Sequence, residues 1–339
     1  MCDNHRVISS GAYTMTRKSQ RRFRIIAIVC VILASVTWIH YEPPLSRDAL
    51  RAYQSNASRF IEIGDLSVHY RREGNVRGPT VVLVHGTAAS LHTWEGWVGA
   101  LASDYDVVSL DLPAYGLTGA RPDRDYSIEA YVEFLDAFVL ALGIERFTLA
   151  GNSLGGRISW QYALDHSEKL DALVLIDPSG FMHNNPPSLA FRLANMPLIN
   201  KAIPLFAPRS IYEKSVYEVY GDDSKVTDAL IERYYQLSLF GGNRQAFVDG
   251  ARTKRTEKTH LLSNIKTPTL ILWGEEDRWI PASDAQRFAA AIQSSRVIMY
   301  PGVGHVPMEE IPLQTVADVI AFIESLKLVD VPELQDAAP

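Results

Sequence analysis

The sequence predicts an α/β fold with a mostly parallel sheet that helices cover on both faces. Two observations support this prediction. Uncharged runs rich in β-branched residues, such as residues 80–84, are typical of strands buried on both faces of a parallel sheet. From there to residue 326 such runs alternate with segments of helical character, and this alternation requires crossover helices on both faces. A chain of 339 residues is long enough for one such core plus an insertion.

The strands and helices follow from these patterns in chain order. Residues 60–63 and 66–70 alternate as strands do, with Gly64-Asp65 as the turn between them. The segment from about 180 to 260 interrupts the later alternation. The expected strands are 60–63, 66–70, 80–84, 107–110, 147–150, 173–176, 269–273 and 297–300, and the expected helices lie near 128–142, 154–163, 285–291 and 313–326.

The N-terminus differs in composition from the rest of the chain. Residues 1–24 hold six Lys/Arg against one acid, and residues 25–41 hold no charged side chain. A helix over 25–41 would span about 25 Å, and Arg24 with Trp38 at its ends could cover the remainder of a ~30 Å hydrocarbon core. We therefore predict a single-pass membrane anchor. A cleaved secretion signal is the alternative, although no clear small-x-small cleavage site follows the apolar run.

Charge asymmetry predicts the orientation of this anchor. Basic flanks stay in the cytoplasm, which places the following domain on the non-cytoplasmic, periplasmic side. Outside residues 1–24 the chain has no basic stripe, so no nucleic-acid partner is expected. The expected organisation is a basic segment (1–24), an anchor (25–41), a linker (42–58), a first core part (59–180), an inserted segment (181–260), a second core part (261–330) and a tail (331–339).

The pattern Gly151-x-Ser153-x-Gly155 ends one of the predicted strands. It matches a nucleophile elbow, in which a serine sits on a sharp turn between a strand and a helix. Glycine is needed on both sides because a Cβ would collide with neighbouring backbone in so tight a turn. The helix that starts near Leu154 directs free N–H groups toward the serine, where they can stabilise negative charge.

Two residues in the right chain order could assist this serine. Asp277 and His305 both follow predicted strands, and the order Ser, acid, His is the one that accompanies a nucleophile elbow. Neutral imidazole can take the serine proton, while the carboxylate orients the ring and stabilises its charged form. Asp177 also ends a strand and remains a rival for the acid. Asp111 precedes the serine and is expected to organise its loop.

These motifs together resemble the α/β-hydrolase superfamily. The resemblance covers residues 60–327 and rests on Val84-His85-Gly86-Thr87, on Asp111-Leu112-Pro113-x-x-Gly116, on the elbow, and on the Asp277 and His305 loops. It implies that Ser153 is the nucleophile, Asp277 the acid and His305 the base. It also implies an oxyanion hole formed by the backbone N–H groups of Thr87 and Leu154, and a helical cap over 181–260, inserted after the sixth strand.

The implied activity is that of a serine carboxylic-ester hydrolase. The apolar first half of the cap favours hydrophobic or lipid esters, and the cap resembles those of membrane-associated, monoacylglycerol-lipase-like members. A C–C bond hydrolase of the meta-cleavage-product type is the nearest alternative, although Val306 stands where those relatives carry Trp after the base. A ligand-binding receptor on the same fold is another. No cofactor or metal is expected, since the sequence contains no metal-ligand or nucleotide motif.

Overall fold

The computed structural model describes residues 17–24, 27–28, 41–183, 187–254 and 256–329. The chain forms two compact units, one up to Glu42 and one from Pro43 onward. In the first unit, residues 17–24 and 27–28 are helical. Among the described residues, no helix is both long enough and apolar enough to cross a bilayer. The predicted anchor over 25–41 lies almost wholly outside those residues, as does the tail 331–339, and both stay predictions.

The second unit is built on an eight-stranded sheet with the strand order β1-β2-β4-β3-β5-β6-β7-β8. β2 pairs antiparallel with β1 and with β4, and the other neighbouring strands pair parallel. The prediction of a mostly parallel sheet is confirmed. The strands are β1 Ser58–Ile63, β2 Leu66–Gly74, β3 Thr80–Val84, β4 Asp106–Leu110, β5 Phe147–Asn152, β6 Leu170–Ile176, β7 Thr269–Gly274 and β8 Ser295–Tyr300.

Eleven α-helices of this unit lie in the described part of the chain. Five of them, α4 to α8, lie between β6 and β7 and form the cap, where the sequence predicted an insertion after the sixth strand. The helices are α1 Glu95–Leu101, α2 Ile128–Ala141, α3 Leu154–Asp165, α4 Leu189–Asn195, α5 Ile199–Ala202, α6 Arg209–Val219, α7 Asp228–Ser238, α8 Asn243–Arg252, α9 Ser283–Ala291, α10 Pro307–Glu310 and α11 Pro312–Val329.

Alternating strand residues bury themselves against helices on the two faces of the sheet. In β3, Val82 and Val84 belong to a core cluster that includes α2, α3 and α9. Val81 and Leu83 belong to a second cluster that includes α1 and α11. Successive side chains of a strand point to opposite faces, so an unbroken apolar run is what two covered faces require. This burial explains why β3 contains no polar residue after Thr80.

Within the predicted linker over 42–58, residues that include Leu45 and Leu50 pack against the domain. Leu50 is fully buried in a small cluster with Leu117 and Leu237. The Leu45 N–H donates to the carbonyl of Leu239 at 2.9 Å. Burial of these apolar side chains at the junction of the core and the cap is therefore favourable. The composition of the segment did not indicate this packing.

Candidate active site

Ser153 stands between β5 and α3 in a strained conformation. Its φ of 55° and ψ of −111° lie in a region that residues with a Cβ rarely adopt. A Cβ on Gly155 would lie 2.1 Å from the Val84 carbonyl oxygen, and one on Gly151 would lie 2.4 Å from the Gly155 carbonyl oxygen. Both contacts are with backbone, which cannot move aside. The two glycines thus let the turn close tightly, as the elbow pattern predicted.

His305 and Asp277 are hydrogen-bonded to each other. The Nδ1 of His305 lies 2.6 Å from Oδ2 of Asp277, and both side chains are almost fully buried. The other oxygen of Asp277 accepts the N–H groups of Trp279 and Ile280, at 2.7 and 3.0 Å. Because the carboxylate accepts, Nδ1 carries the imidazole proton and Nε2 is left as the basic nitrogen. Within the described residues Nε2 has no hydrogen-bond partner.

The loop after β3 brings Thr87 next to the elbow. A Cβ on Gly86 would lie 2.8 Å from Oδ1 of Asn152 and 3.1 Å from Cβ of Ser153, so the two loops are in direct contact. Thr87 lies in a loop, and no backbone carbonyl among the described residues accepts a hydrogen bond from its N–H. Leu154 is the first residue of α3, and its N–H has no carbonyl in a preceding helical turn. These N–H groups can meet an oxyanion.

His85 holds this loop in place. The Leu112 N–H donates to Nε2 of His85 at 2.9 Å, and Nδ1 of His85 lies 2.7 Å from the Gly86 carbonyl oxygen. Nε2 is therefore the acceptor and Nδ1 the donor of a neutral ring. Complete burial lowers the pKa of His85, which keeps the ring neutral. The side chain thus has a positioning role.

Asp177, the rival acid, lies beside Asp277 and makes no hydrogen bond to His305. Its Oδ1 accepts the Gly274 N–H at 3.0 Å, and its fully buried Oδ2 has no partner among the described residues. Burial, and after it the charge of Asp277, raises the pKa of Asp177 well above its usual range. A protonated Asp177 can donate its O–H to Asp277. The geometry therefore pairs Asp277 with the imidazole and leaves Asp177 as a buried neighbour of that carboxylate.

The same three residues are the only set of possible metal ligands found in the described chain. One ligand atom from each of Asp177, Asp277 and His305 lies within 4.8 Å of the others. The 2.6 Å contact between His305 and Asp277 is a hydrogen bond and leaves no room for an ion between those atoms. The arrangement fits proton transfer better than metal binding.

A large cavity connects the elbow to the cap. It is open to solvent, and Ser153 and His305 are among the residues that line it. Its other walls are mostly apolar cap residues, among them Phe191, Leu193 and Ile203. An apolar cavity with a few polar groups is a typical small-molecule site.

Contacts from the cap and from the elbow fix the His305 loop, and the sequence did not reveal them. The His305 N–H donates to the carbonyl of Val219, at the end of α6, at 2.7 Å. The Asn152 side chain donates to the His305 carbonyl at 3.0 Å. Glu310 accepts the Gly304 N–H at 2.8 Å, and the Trp279 ring lies 5.6 Å from the imidazole. The position of Asn152 inside the elbow was the one available signal.

A second Ser-His-Asp cluster exists elsewhere in the domain. Nε2 of His69 lies 2.9 Å from Ser58 Oγ, and its Nδ1 lies 2.7 Å from Oδ2 of Asp111. Ser58 lies inside β1, however, and its N–H already donates to the Ser55 carbonyl. Asp111 accepts further backbone N–H groups, including that of Leu91 at 2.7 Å, and so organises its loop. Three hydrogen-bonded residue types alone do not define a reactive serine, since this cluster lacks an elbow and free N–H donors.

Comparison with known proteins agrees with this architecture. The model of a family described as alpha/beta hydrolase fold matches residues 79–202. Lipase 3 of Moraxella sp. is 28% identical over 276 residues, covering 78% of this chain and 83% of that protein. The 2-hydroxy-6-oxo-6-(2'-aminophenyl)hexa-2,4-dienoic acid hydrolase of Metapseudomonas resinovorans is 26% identical over 274 residues, covering 78% and 90%.

A solved structure extends the comparison over nearly the whole domain. The crystal structure of a membrane phospholipase A, described as a bacterial virulence factor, superposes with a TM-score of 0.70 at 26% identity, covering 92% of this chain and 99% of that one. The chain therefore has the α/β-hydrolase fold, and its sequence is similar to enzymes built on that fold. The lipase and the dienoic acid hydrolase among these relatives support a hydrolase.

Proposed function

We propose that this chain is a serine carboxylic-ester hydrolase that cleaves hydrophobic acyl esters. The observation that carries the proposal is the buried hydrogen bond between His305 and Asp277, in a cavity that Ser153 also lines. The likeness to a lipase and to a membrane phospholipase A supports an ester or lipid substrate. The apolar walls of the cavity fit an acyl chain.

The reaction begins with the attack of Ser153 on the ester carbonyl. His305 Nε2 takes the serine proton, and Asp277 stabilises the imidazolium that forms. The N–H groups of Thr87 and Leu154 bind the oxyanion of the tetrahedral intermediate. The imidazolium then protonates the leaving alcohol, and an acyl-enzyme remains on Ser153. Water, activated by His305, attacks this acyl group and releases the acid, which restores the free serine.

The test is hydrolysis of a p-nitrophenyl ester series from acetate to palmitate by the full chain. Ser153→Ala should reduce turnover about 10⁴-fold or more. Ser58→Ala is the matched control, because it removes the serine of the second Ser-His-Asp cluster, and it should keep wild-type turnover. A rate that rises toward longer acyl chains supports a lipase-like enzyme. Wild-type turnover in Ser153→Ala would refute the mechanism.

The relative from Metapseudomonas resinovorans favours one second candidate, a C–C bond hydrolase of the meta-cleavage-product type. Such an enzyme would use the same cavity and the same serine. The presence of Val306 directly after His305 argues against it. Cleavage of a 2-hydroxy-6-oxo-dienoate at a higher kcat/KM than any ester would decide for this candidate. Tight binding with no turnover of either class would instead indicate a receptor.

We further propose that residues 25–41 anchor the chain in a membrane with the domain on its periplasmic side. The uncharged run and its basic flank support this proposal. The full chain should remain in the membrane fraction after carbonate extraction, and protease added to spheroplasts should digest the domain. Release by carbonate would indicate that the segment is cleaved or peripheral.

A further inference from the structure

The cap carries an exposed apolar surface close to the cavity. Met196, Leu198, Leu205 and Phe206 are 45%, 78%, 44% and 36% exposed. They flank α5, a single helical turn only about 6 Å long, so they lie within a short stretch of the chain. We call residues 196–206 the cap tip. Clustered exposed apolar side chains are a mark of interaction sites.

Leu198 has a strained backbone conformation and an exposed side chain. Its φ is 72°, in the region that favours glycine, although leucine has a branched side chain. Strain of this kind persists where something over-determines it. The Leu198 side chain is largely exposed, so burial inside the domain does not offset the strain. A partner outside the domain would contact the Leu198 side chain in the orientation that this backbone conformation gives it.

The charge around the cap tip selects the kind of partner. Residues 178–212 contain Arg192, Lys201 and Arg209 and not one Asp or Glu, in a chain with a net charge of −6. Arg192 and Lys201 are exposed, whereas Arg209 contacts Glu232 at 2.9 Å. Exposed apolar side chains together with basic ones are the combination that binds the interface of a bilayer with anionic lipids.

The cap tip and the helix before it also form a wall of the cavity. Ile203 of the cap tip and Phe191 of α4 line the cavity that contains Ser153, while Leu198 and Leu205 are exposed. One short stretch of chain therefore separates the cavity from an apolar outer surface. A lipid ester at that surface would have a short, apolar path to the serine.

We propose that the cap tip docks onto the surface of an anionic lipid bilayer, from which acyl esters enter the cavity. The docking stands on exposure, strain and charge, and its role in supplying substrate rests on the proposed ester hydrolysis. Leu198 and Leu205 insert among the acyl chains, and Arg192 and Lys201 contact anionic headgroups. This contact is separate from any attachment through the N-terminal segment.

The experiment uses the full chain with Cys2 and Cys30, its only cysteines, replaced by serine. A single Leu198→Cys or Leu205→Cys substitution carries an environment-sensitive NBD label. The control is Leu140→Cys, since Leu140 is 71% exposed on α2, away from the cap in sequence. All three proteins are reconstituted into phosphatidylcholine vesicles with or without phosphatidylglycerol. Any attachment through the N-terminal segment is then common to all three.

With phosphatidylglycerol, the labels at 198 and 205 should shift their emission to shorter wavelength and be quenched by nitroxide-labelled lipid, while the label at 140 should not respond. Equal behaviour at all three positions would overturn the proposal. A blue shift that needs no vesicles and grows with protein concentration would indicate a second copy of the chain and would also overturn it. These readouts require no catalysis, so they decide the docking even if no ester is hydrolysed.

A kinetic experiment then tests the supply of substrate. Leu198→Ser combined with Leu205→Ser should lower hydrolysis of an ester packed in anionic vesicles about tenfold. Hydrolysis of water-soluble p-nitrophenyl butyrate should not change, because neither residue lines the cavity. Leu140→Ser should leave both rates unchanged. An equal loss on both substrates would show that the substitutions damage the cap itself and would overturn substrate entry from the membrane.

Discussion

Asp177→Asn is expected to stabilise the protein at neutral pH, and the gain should disappear in acid. The carboxyl is fully buried beside Asp277, and the pKa of Asp177 is raised, chiefly by burial and then by the Asp277 charge. The folded protein therefore retains a proton that the unfolded chain loses near pH 3.9. Asparagine has the same shape, keeps an oxygen for the Gly274 N–H, and offers an N–H to Asp277.

The sign and size of this effect follow from proton linkage. When the pKa of a carboxyl is higher in the folded protein than in the unfolded chain, the group is protonated in both states at a pH below the unfolded pKa and does not reduce stability there. As pH rises from about 4 toward the folded pKa, the free energy of unfolding falls by up to about 1.4 kcal/mol per pH unit. Asparagine cannot ionise and avoids this loss, so the advantage of the variant grows with pH at that slope. Each kcal/mol corresponds to about 2–4 °C in Tm for a domain of this size.

The assay is urea denaturation of wild type and variant at a series of pH values from about 4 to about 7. Taking the difference at each pH removes the contributions of other groups, such as His92, whose pKa burial lowers to about 4. Asp171→Asn is the matched control, because Asp171 lies on β6, the strand that Asp177 follows, but is exposed beside Arg146. It should change stability by less than about 0.5 kcal/mol at every pH. A difference for Asp177→Asn that does not vary with pH would refute a protonated Asp177.

Three further substitutions test the site and its supports. Asp277→Asn should lower kcat for ester hydrolysis about 10⁴-fold, because the imidazole loses the carboxylate that orients it. Asp177→Asn should retain activity. The reverse result would show that Asp177, and not Asp277, is the acid that assists His305. Gly155→Ala should lower the free energy of unfolding, measured by urea denaturation, by about 3 kcal/mol, because the new Cβ would collide with the Val84 carbonyl. A Cβ on Gly99 would meet nothing within 4 Å, so Gly99→Ala should be neutral or stabilising. Equal effects of the two substitutions would contradict the packing argument. Glu309→Gln should lower the free energy of unfolding by about 3 kcal/mol. The buried Glu309 accepts a hydrogen bond from the Tyr234 hydroxyl at 2.8 Å and forms an ion pair with Arg233. A thermal melt unchanged from wild type would refute this prediction.

The sequence by itself determined the class of fold and the positions of the candidate site residues along the chain. The apolar runs predicted strands buried on both faces, and the interruption after the sixth strand predicted an insertion, which the resemblance to the superfamily identified as a helical cap. The elbow pattern placed Ser153 at a strained turn, and the structure has that turn. These features are local, because periodicity and glycine spacing act through neighbouring residues.

Only the tertiary structure decided which side chains meet. Asp177 and Asp277 both follow strands, and the sequence favoured Asp277 as the acid with Asp177 as its rival. The pairing of β7 with β8 brings Asp277 to His305, whereas Asp177, at the end of β6, makes no hydrogen bond to the imidazole. The bond from the His305 N–H to the Val219 carbonyl likewise joins the cap to the His305 loop across 86 residues. The sequence also did not indicate that Leu198 is exposed, because it lies in an apolar segment of the cap. Such contacts depend on how distant elements dock, and no local pattern encodes the partner of a side chain.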